Sequence, residues 1–478
     1  MTIEIIGIGT ILAGLWVLWQ GPIAAFWVMA LATLLGAAAA FKVPALGDAS
    51  VPPVVVVAIF LAMTFALRLR LRTAALESLA PAGPGFWVLL FTIYAVATAF
   101  FMPRLFQGLT YAYSLARNDA DIGIVSLPLK PRAANATQAF YLIADLGCFM
   151  STWALMVRDQ ARGITNALIV CAVVLLASAV ADVATHYTDT GFLLSWLRNA
   201  NYRMLESGEI GGFKRIVGTF TEAGAFGYAA LGFHAFTLSL WLYGFRTRIT
   251  GSLALLLAVS LLLSTSTTAY GSLAMFSSLM LVGALVKLAN GQATGRDCSY
   301  LFIVSMIPFL LLVVILFVPS IWSAVAGLYD AAVFNKLASQ SGIERMRWNY
   351  FALQNFWDTS GFGAGLGSVR ASSFVVALLA NTGVLGLLLF VVTLASVFTM
   401  GRPISFEDVV ARAGLHACLA LFGSACISAG SVDLGFLFFI FFALAASGRQ
   451  LRERAAPALV KSNPLIAVGH FTLQGRGS

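Results

Sequence analysis

The sequence predicts an all-α protein threaded repeatedly through a membrane, and three observations carry that expectation. Of its 478 residues, 60% are hydrophobic and only 10% are charged. Mean hydropathy is +0.90. Apolar runs reach roughly 20 residues, enough for a helix to cross a hydrocarbon core of about 30 Å. No stretch is polar enough for a separate water-soluble domain. Residues 1–447 therefore read as one transmembrane domain and 448–478 as a tail.

Hydropathy marks about 13 transmembrane helices. They lie near 5–20, 23–41, 52–68, 86–102, 137–157, 164–183, 223–243, 250–265, 268–286, 300–319, 371–397, 411–428 and 431–447. The first is a span and not a cleaved signal peptide, because no Lys or Arg precedes Lys42. Cys148, Cys171, Cys298, Cys418 and Cys426 sit in or beside apolar segments without CxxC spacing. They suit small core residues better than disulfides or metal ligands.

Basic residues orient the spans. "RLRLR" at 68–72, "RDQAR" at 158–162, "RTR" at 246–248 and "GRQLRER" at 448–454 gather arginine, which collects in cytoplasmic loops. Alternation then places 103–136, 184–222 and the large loop 320–370, between helices 10 and 11, on the outer face. The first two spans lack basic flanks, so the rule leaves them unoriented. The net charge of +9 is a topology signal and not a nucleic-acid surface.

On that outer face, "GIERMRWNY" (342–350) places Arg345 and Arg347 beside Trp348. The apolar stretch "IWSAVAGLYDAAVF" before it suits an interfacial segment. Ser341 and Glu344 fit a capping box. Met346, Tyr350, Leu353 and Trp357 follow at helical spacing, as one apolar stripe with Arg345 at its border and Arg347 off it. A second outer stretch, "GGFKRIVGTFTEAGAFG" (211–227), holds Lys214 and Arg215. Thr219 and Glu222 fit another capping box, with a helix starting near Phe220. An arginine ahead of a helix N-terminus suits a phosphate group, which guanidinium grips in two-pronged fashion. Two such sites suit a diphosphate.

Each of these residues also has an ordinary reading. Arg215 is either an interfacial anchor or a ligand contact. Arg345 and Arg347 are either a solvated face or a binding pair. Glu222 is either a helix cap or a general base. "GFGAGLG" (361–367) follows no strand, so it is a tight turn or a phosphate nest and not a dinucleotide loop. His186 reads as a loop residue, and Asp433 as a turn or cap.

Several blocks resemble the O-antigen polymerase and ligase superfamily. They are "RIVGTFTEAGAFGYAAL", "LLLSTSTTAYGSLAMF" (261–276), "RMRWNYFALQNFWDTSGFGAGLGS" (345–368) and "LLANTGVLGLLLF" (378–390). "RLFQG" (104–108) and "PLKPRAANATQAFYL" (128–142) are similar to the earlier outer loop of exopolysaccharide-type members. The resemblance covers roughly residues 100–400, and the order of the blocks is its specific part. It implies a GT-C-like, metal-independent glycosyltransferase of the bacterial inner membrane, without a cofactor. Its site faces the periplasm, and its substrate is an undecaprenyl-diphosphate-linked oligosaccharide.

Carried onto this chain, the resemblance makes Arg215, Arg345 and Arg347 the diphosphate-binding catalytic set, with Glu222 as the candidate base. Lys214, Thr219, Trp348 and Arg370 would contact substrate. A polysaccharide polymerase, served by membrane lipid and a chain-length regulator, is the first expectation. A ligase or oligosaccharyltransferase acting on lipid A core or protein is the second. Where some members have Ser-Arg, this chain has Ser266-Thr267. Among His186, His234, His416 and His470 none lies in 320–370, where ligases place a histidine. A glycan transporter is the third reading, and it calls for ionisable residues inside paired or broken spans.

Overall fold

The computed structural model describes residues 2–43, 49–118, 121–201, 204–205, 208–210, 213–317, 340–398 and 403–462. Its helices are α1 (Ile5–Gln20), α2 (Pro22–Ala32), α3 (Pro53–Ala66), α4 (Leu69–Glu77), α5 (Pro84–Leu105), α6 (Ala133–Met156), α7 (Ala161–Tyr187) and α8 (Ala223–Leu242). They continue with α9 (Thr247–Leu263), α10 (Thr267–Ala289), α11 (Gly295–Phe317), α12 (Gln340–Asp358), α13 (Phe374–Ala395), α14 (Phe406–Ile427) and α15 (Gly435–Ser462). Each apolar segment read from hydropathy overlaps one of these helices.

Among the described residues, seven helices are long and apolar enough to cross a membrane, or eight if the bent pair α3–α4 is one span. This is the make-up of a predominantly helical, multi-pass membrane protein. The expected number was larger in part because α1, α2 and α9 are apolar but short; α11 and α15 are the other two expected spans outside this count. Helix α2 in particular ends at Ala32, although its apolar run continues to Phe41. The backbone unwinds there to trade hydrogen bonds with another loop: Ala37 N–H donates to Thr219 O (2.9 Å) and Ala200 N–H to Ala37 O (3.1 Å). Hydropathy registers the apolar side chains and not this exchange.

Three small antiparallel sheets lie outside the helices. β1 (Thr2–Ile3), β2 (Phe41–Val43) and β3 (Ala49–Val51) form one. β4 (Tyr111–Asn118) pairs with β5 (Asp121–Pro128) as a hairpin, and β6 (Glu209–Ile210) pairs with β7 (Phe213–Lys214). The hairpin departs from the helix-and-loop expectation. Its signal is the polar run "RNDAD" between two strand-like stretches.

Helices α6, α8, α14 and α15 pack side by side as the core of the bundle. Phe226, Phe233 and Phe236 of α8 are fully buried among them, with Phe438, Phe441 and Phe442 of α15. One end of the bundle carries the basic clusters around Arg68, Arg246, Lys287 and Arg452. Arg68 donates to Leu18 O, Arg246 to Asn166 Oδ1 (2.8 Å), Lys287 pairs with Asp297 (2.8 Å) and Arg452 with Asp408 (2.8 Å). At the opposite end the long loops interlock. Asn135 Nδ2 donates to Leu366 O (2.7 Å), and Arg370 N–H to Tyr113 O (3.1 Å).

Helix α1 runs from one end of the bundle to the other. Its start is tied to the loop end by the Glu4–Lys42 ion pair (2.9 Å) and by Asn199 (3.1 Å). Its finish meets Arg68 at the basic end. All five cysteines are free. The stretch 321–334 lies outside the described residues.

Candidate active site at the loop end

The chain enters α8 through a turn anchored on Asp182 of α7. Asp182 is buried and accepts hydrogen bonds from Val217 N (2.8 Å), Gly218 N (3.1 Å) and Arg198. Lys214 is 5% exposed, and its ammonium sits 3.6 Å from the same carboxylate while donating to Arg215 O (3.1 Å). It therefore serves the turn and is not open to a ligand, contrary to its expected substrate contact. Thr219 is likewise committed, donating to Leu34 O. No capping box forms with Glu222: α8 begins at Ala223, and Glu222 stands at the N-cap without a side-chain cap bond.

Arg215 is held differently. Its backbone N–H bonds Gly208 O (3.0 Å), and its guanidinium comes within electrostatic reach of the Tyr270 hydroxyl on α10. Its Nε is buried and has no hydrogen-bond partner among the described residues. Two separate sequence blocks thus meet at Arg215. The junction between α9 and α10 is sharp: Thr265 takes a left-handed backbone (φ 48°), and Ser266 Oγ caps α10 by accepting from Ala269 N (3.4 Å).

Arg370 is the second guanidinium of this kind. Its Nε is also buried without a partner among the described residues. Gly430 makes room for it, since a β-carbon there would lie 3.1 Å from Nη2. Burial draws its proton affinity below the ordinary arginine value, and the Glu222 carboxylate acts to raise it again. Arginine nevertheless keeps its proton in proteins. A buried N–H with no acceptor is costly and calls for a partner, and an oxyanion supplies one.

Helix α12 divides its two arginines. Residues two apart on a helix do not share a face. Arg345 is half-buried, on the side that carries Trp348, Asn349 and the buried Ala352, while Arg347 is exposed. Asn349 Oδ1 accepts from Ser372 N (2.7 Å), so Arg345 lies one turn from the segment bearing Arg370. The apolar stripe faces outward: Met346, Tyr350 and Trp357 are 54%, 61% and 73% exposed. The helix also starts at Gln340, which puts Ser341 inside it and not at its cap.

The Gly-rich run after α12 is a clamp and not a phosphate nest. Its amides point into the protein. Ala364 N–H bonds Ala380 O (2.8 Å), Gly365 N–H bonds Asn381 O (2.9 Å), and Ser368 and Val369 share Asn381 Oδ1 (3.1 Å each). Gly363 (φ 84°) lies where a β-carbon would come within 2.6 Å of Gly383 N, at the kink in α13.

Beside Glu222 a cavity of about 400 Å³ descends between α2, α8, α10, α14 and α15. Thr268, Ser424, Ser428 and Asp433 line it with Glu222 and Tyr228. Asp433 adopts the turn its sequence suggests, accepting from Gly435 N (2.6 Å). His186 pairs with Glu209 (2.9 Å). Asp145 and Asp182 have no motif around them; their one signal is an ionisable residue inside an apolar segment. No family model matches the chain, and no curated protein is significantly similar to it.

Proposed function

We propose that the chain is a polysaccharide polymerase. In this reading it transfers a growing glycan from undecaprenyl diphosphate to a lipid-linked repeat unit. One observation carries the proposal. Arg215 and Arg370 both bury an unpartnered Nε at the loop end, and Glu222, beside Arg370, opens onto the cavity. A diphosphate offers the oxygens that two such guanidiniums lack.

In the reaction, a hydroxyl of the acceptor sugar attacks the anomeric carbon of the donor. Negative charge then grows on the departing diphosphate. Arginines stabilise that charge most where water is excluded. Arg215 and Arg370 have the burial for this role, and in this reading Arg345 joins them. Arg347 is better placed to meet a substrate on arrival. Diphosphate is a good leaving group, so no strong acid is needed.

We read each of thirteen helices, α1–α3, α5–α11 and α13–α15, as one crossing in a GT-C-like arrangement. The arginine-rich end is the cytoplasmic one, and the loop end faces the periplasm. The test is direct. Purified protein given only undecaprenyl-diphosphate-linked repeat units, with EDTA present, should build a ladder that grows by single repeats. If a ladder forms only after lipid A core or a protein acceptor is added, the transferase reading takes its place. One observation favours transport instead, namely Asp145 in the middle of α6. Translocation of the lipid-linked glycan in proteoliposomes without any new glycosidic bond would establish that reading.

A further inference from the structure

Asp145 is the one carboxyl side chain on α6. Twelve residues separate it from Ala133, which puts it about 18 Å below the start of the helix at 1.5 Å per residue. It is 0% exposed, and its carboxyl lies within hydrogen-bonding reach of the Asp433 side chain. A buried carboxyl is expensive unless a partner satisfies it. Its neighbour is another acid, Asp433.

Asp433 reaches this depth because the segment between α14 and α15 folds inward. Tyr228 of α8 donates to Leu434 O (2.9 Å), Ser431 Oγ to Asp433 O (3.1 Å) and Gly435 N to Asp433 Oδ1. These bonds fix the carboxyl at the wall of the cavity. That cavity has the volume of a small-molecule site, and hydroxyls of Thr268, Ser424 and Ser428 line it beside the Tyr228 ring. Hydroxyls with an aromatic wall suit a sugar.

We propose that this cavity seats the acceptor sugar, and that Asp433, positioned by Asp145, takes the proton of the attacking hydroxyl. The proposal rests on the glycosyltransferase reading above. Glu222 lines the same space but faces the Arg370 cation, whereas Asp433 faces an acid. Glu222 is thus engaged with the Arg370 guanidinium, and Asp433 is the carboxylate of the cavity wall left to meet an acceptor hydroxyl. The other titratable groups around the pair are Cys148 on α6, Tyr228 on α8 and Cys418 on α14, with Glu222 across the cavity.

In the step, the acceptor oxygen bonds the anomeric carbon as its proton passes to Asp433. The bond from that carbon to the diphosphate oxygen breaks, and its electron pair leaves on the diphosphate. Asp433 then releases the proton to water in the cavity. Asp433 is the catalytic residue, and Asp145 is a positioning residue.

Initial rates of the purified full chain on lipid-diphosphate repeat units test this. Asp433→Asn should lower kcat by about 100-fold or more, the scale of lost general-base catalysis, with KM nearly unchanged. Asp433→Glu should recover part of it, and Glu222→Gln should remain faster than Asp433→Asn. Asp145→Asn should keep its melting temperature and KM but lower kcat, because Asp433 loses the neighbour that positions it. Wild-type kcat in Asp433→Asn or in Asp145→Asn would overturn the inference while leaving the polymerase reading intact. If Asp433→Asn does not fold, Asp433→Glu decides: an unshifted pH profile in that variant overturns it too. A wild-type protein that forms no glycosidic bond ends both.

Discussion

Arg215 and Lys214 are adjacent, yet the fold gives them opposite tasks. Lys214 is buried against Asp182, and Arg215 keeps a buried Nε without a partner. Arg215→Ala should therefore reduce chain growth by about 10²–10³-fold, the scale for losing a charge-stabilising donor, at unchanged protein abundance. Arg215→Lys should recover little, because an ammonium cannot make the two-pronged contact. Wild-type ladders from both variants would return Arg215 to the role of an anchor. On α12 the half-buried Arg345 should matter more than the exposed Arg347, which the relative ladder rates of the two alanine variants will measure. The types of residue needed were legible in the sequence. Their division of labour was not, because burial and the Asp182 counter-charge come from a helix more than 30 positions away, as the 182 to 217 pairing shows.

At the scale of elements, two devices position the site. The first is the Asp182 anchor under the turn into α8. Asp182→Ala removes the buried carboxylate that Arg198 and Lys214 share, and breaking a buried pair costs about 3–5 kcal/mol. A clear loss of thermal stability in detergent is the expected reading. The second device is the clamp of the Gly-rich run on α13. Gly363 and Gly291 both need a left-handed backbone, but a β-carbon at Gly291 meets nothing within 4 Å. Gly363→Ala should thus lower the melting temperature far more than Gly291→Ala. Equal effects would mean that backbone strain alone matters at these positions. The tight turn was readable from glycine content. That its amides are consumed by Asn381 was not, because that partner lies in the following helix.

Over the whole molecule, the alternation of ends is the boldest expectation. Reporter fusions at Arg72, Arg162 and Arg248 should report cytoplasm, and fusions in the β4–β5 hairpin or within 190–210 should report the outer face. Opposite reports for 190–210 and the hairpin would separate Arg215 from Arg370 and dissolve the shared site. Hydropathy located the helices because their apolar runs are long. It could not say which of them meet lipid, since a helix buried on all sides and one facing lipid are both apolar. The structure separates these cases: α8 is 83% buried within the bundle and α10 only 22%. Seen from the bilayer, α8 is invisible. A diazirine carried on an acyl chain should therefore label Met275, Leu279, Val282 and Val286 along the outward side of α10, and leave Phe226, Phe233 and Phe236 untouched.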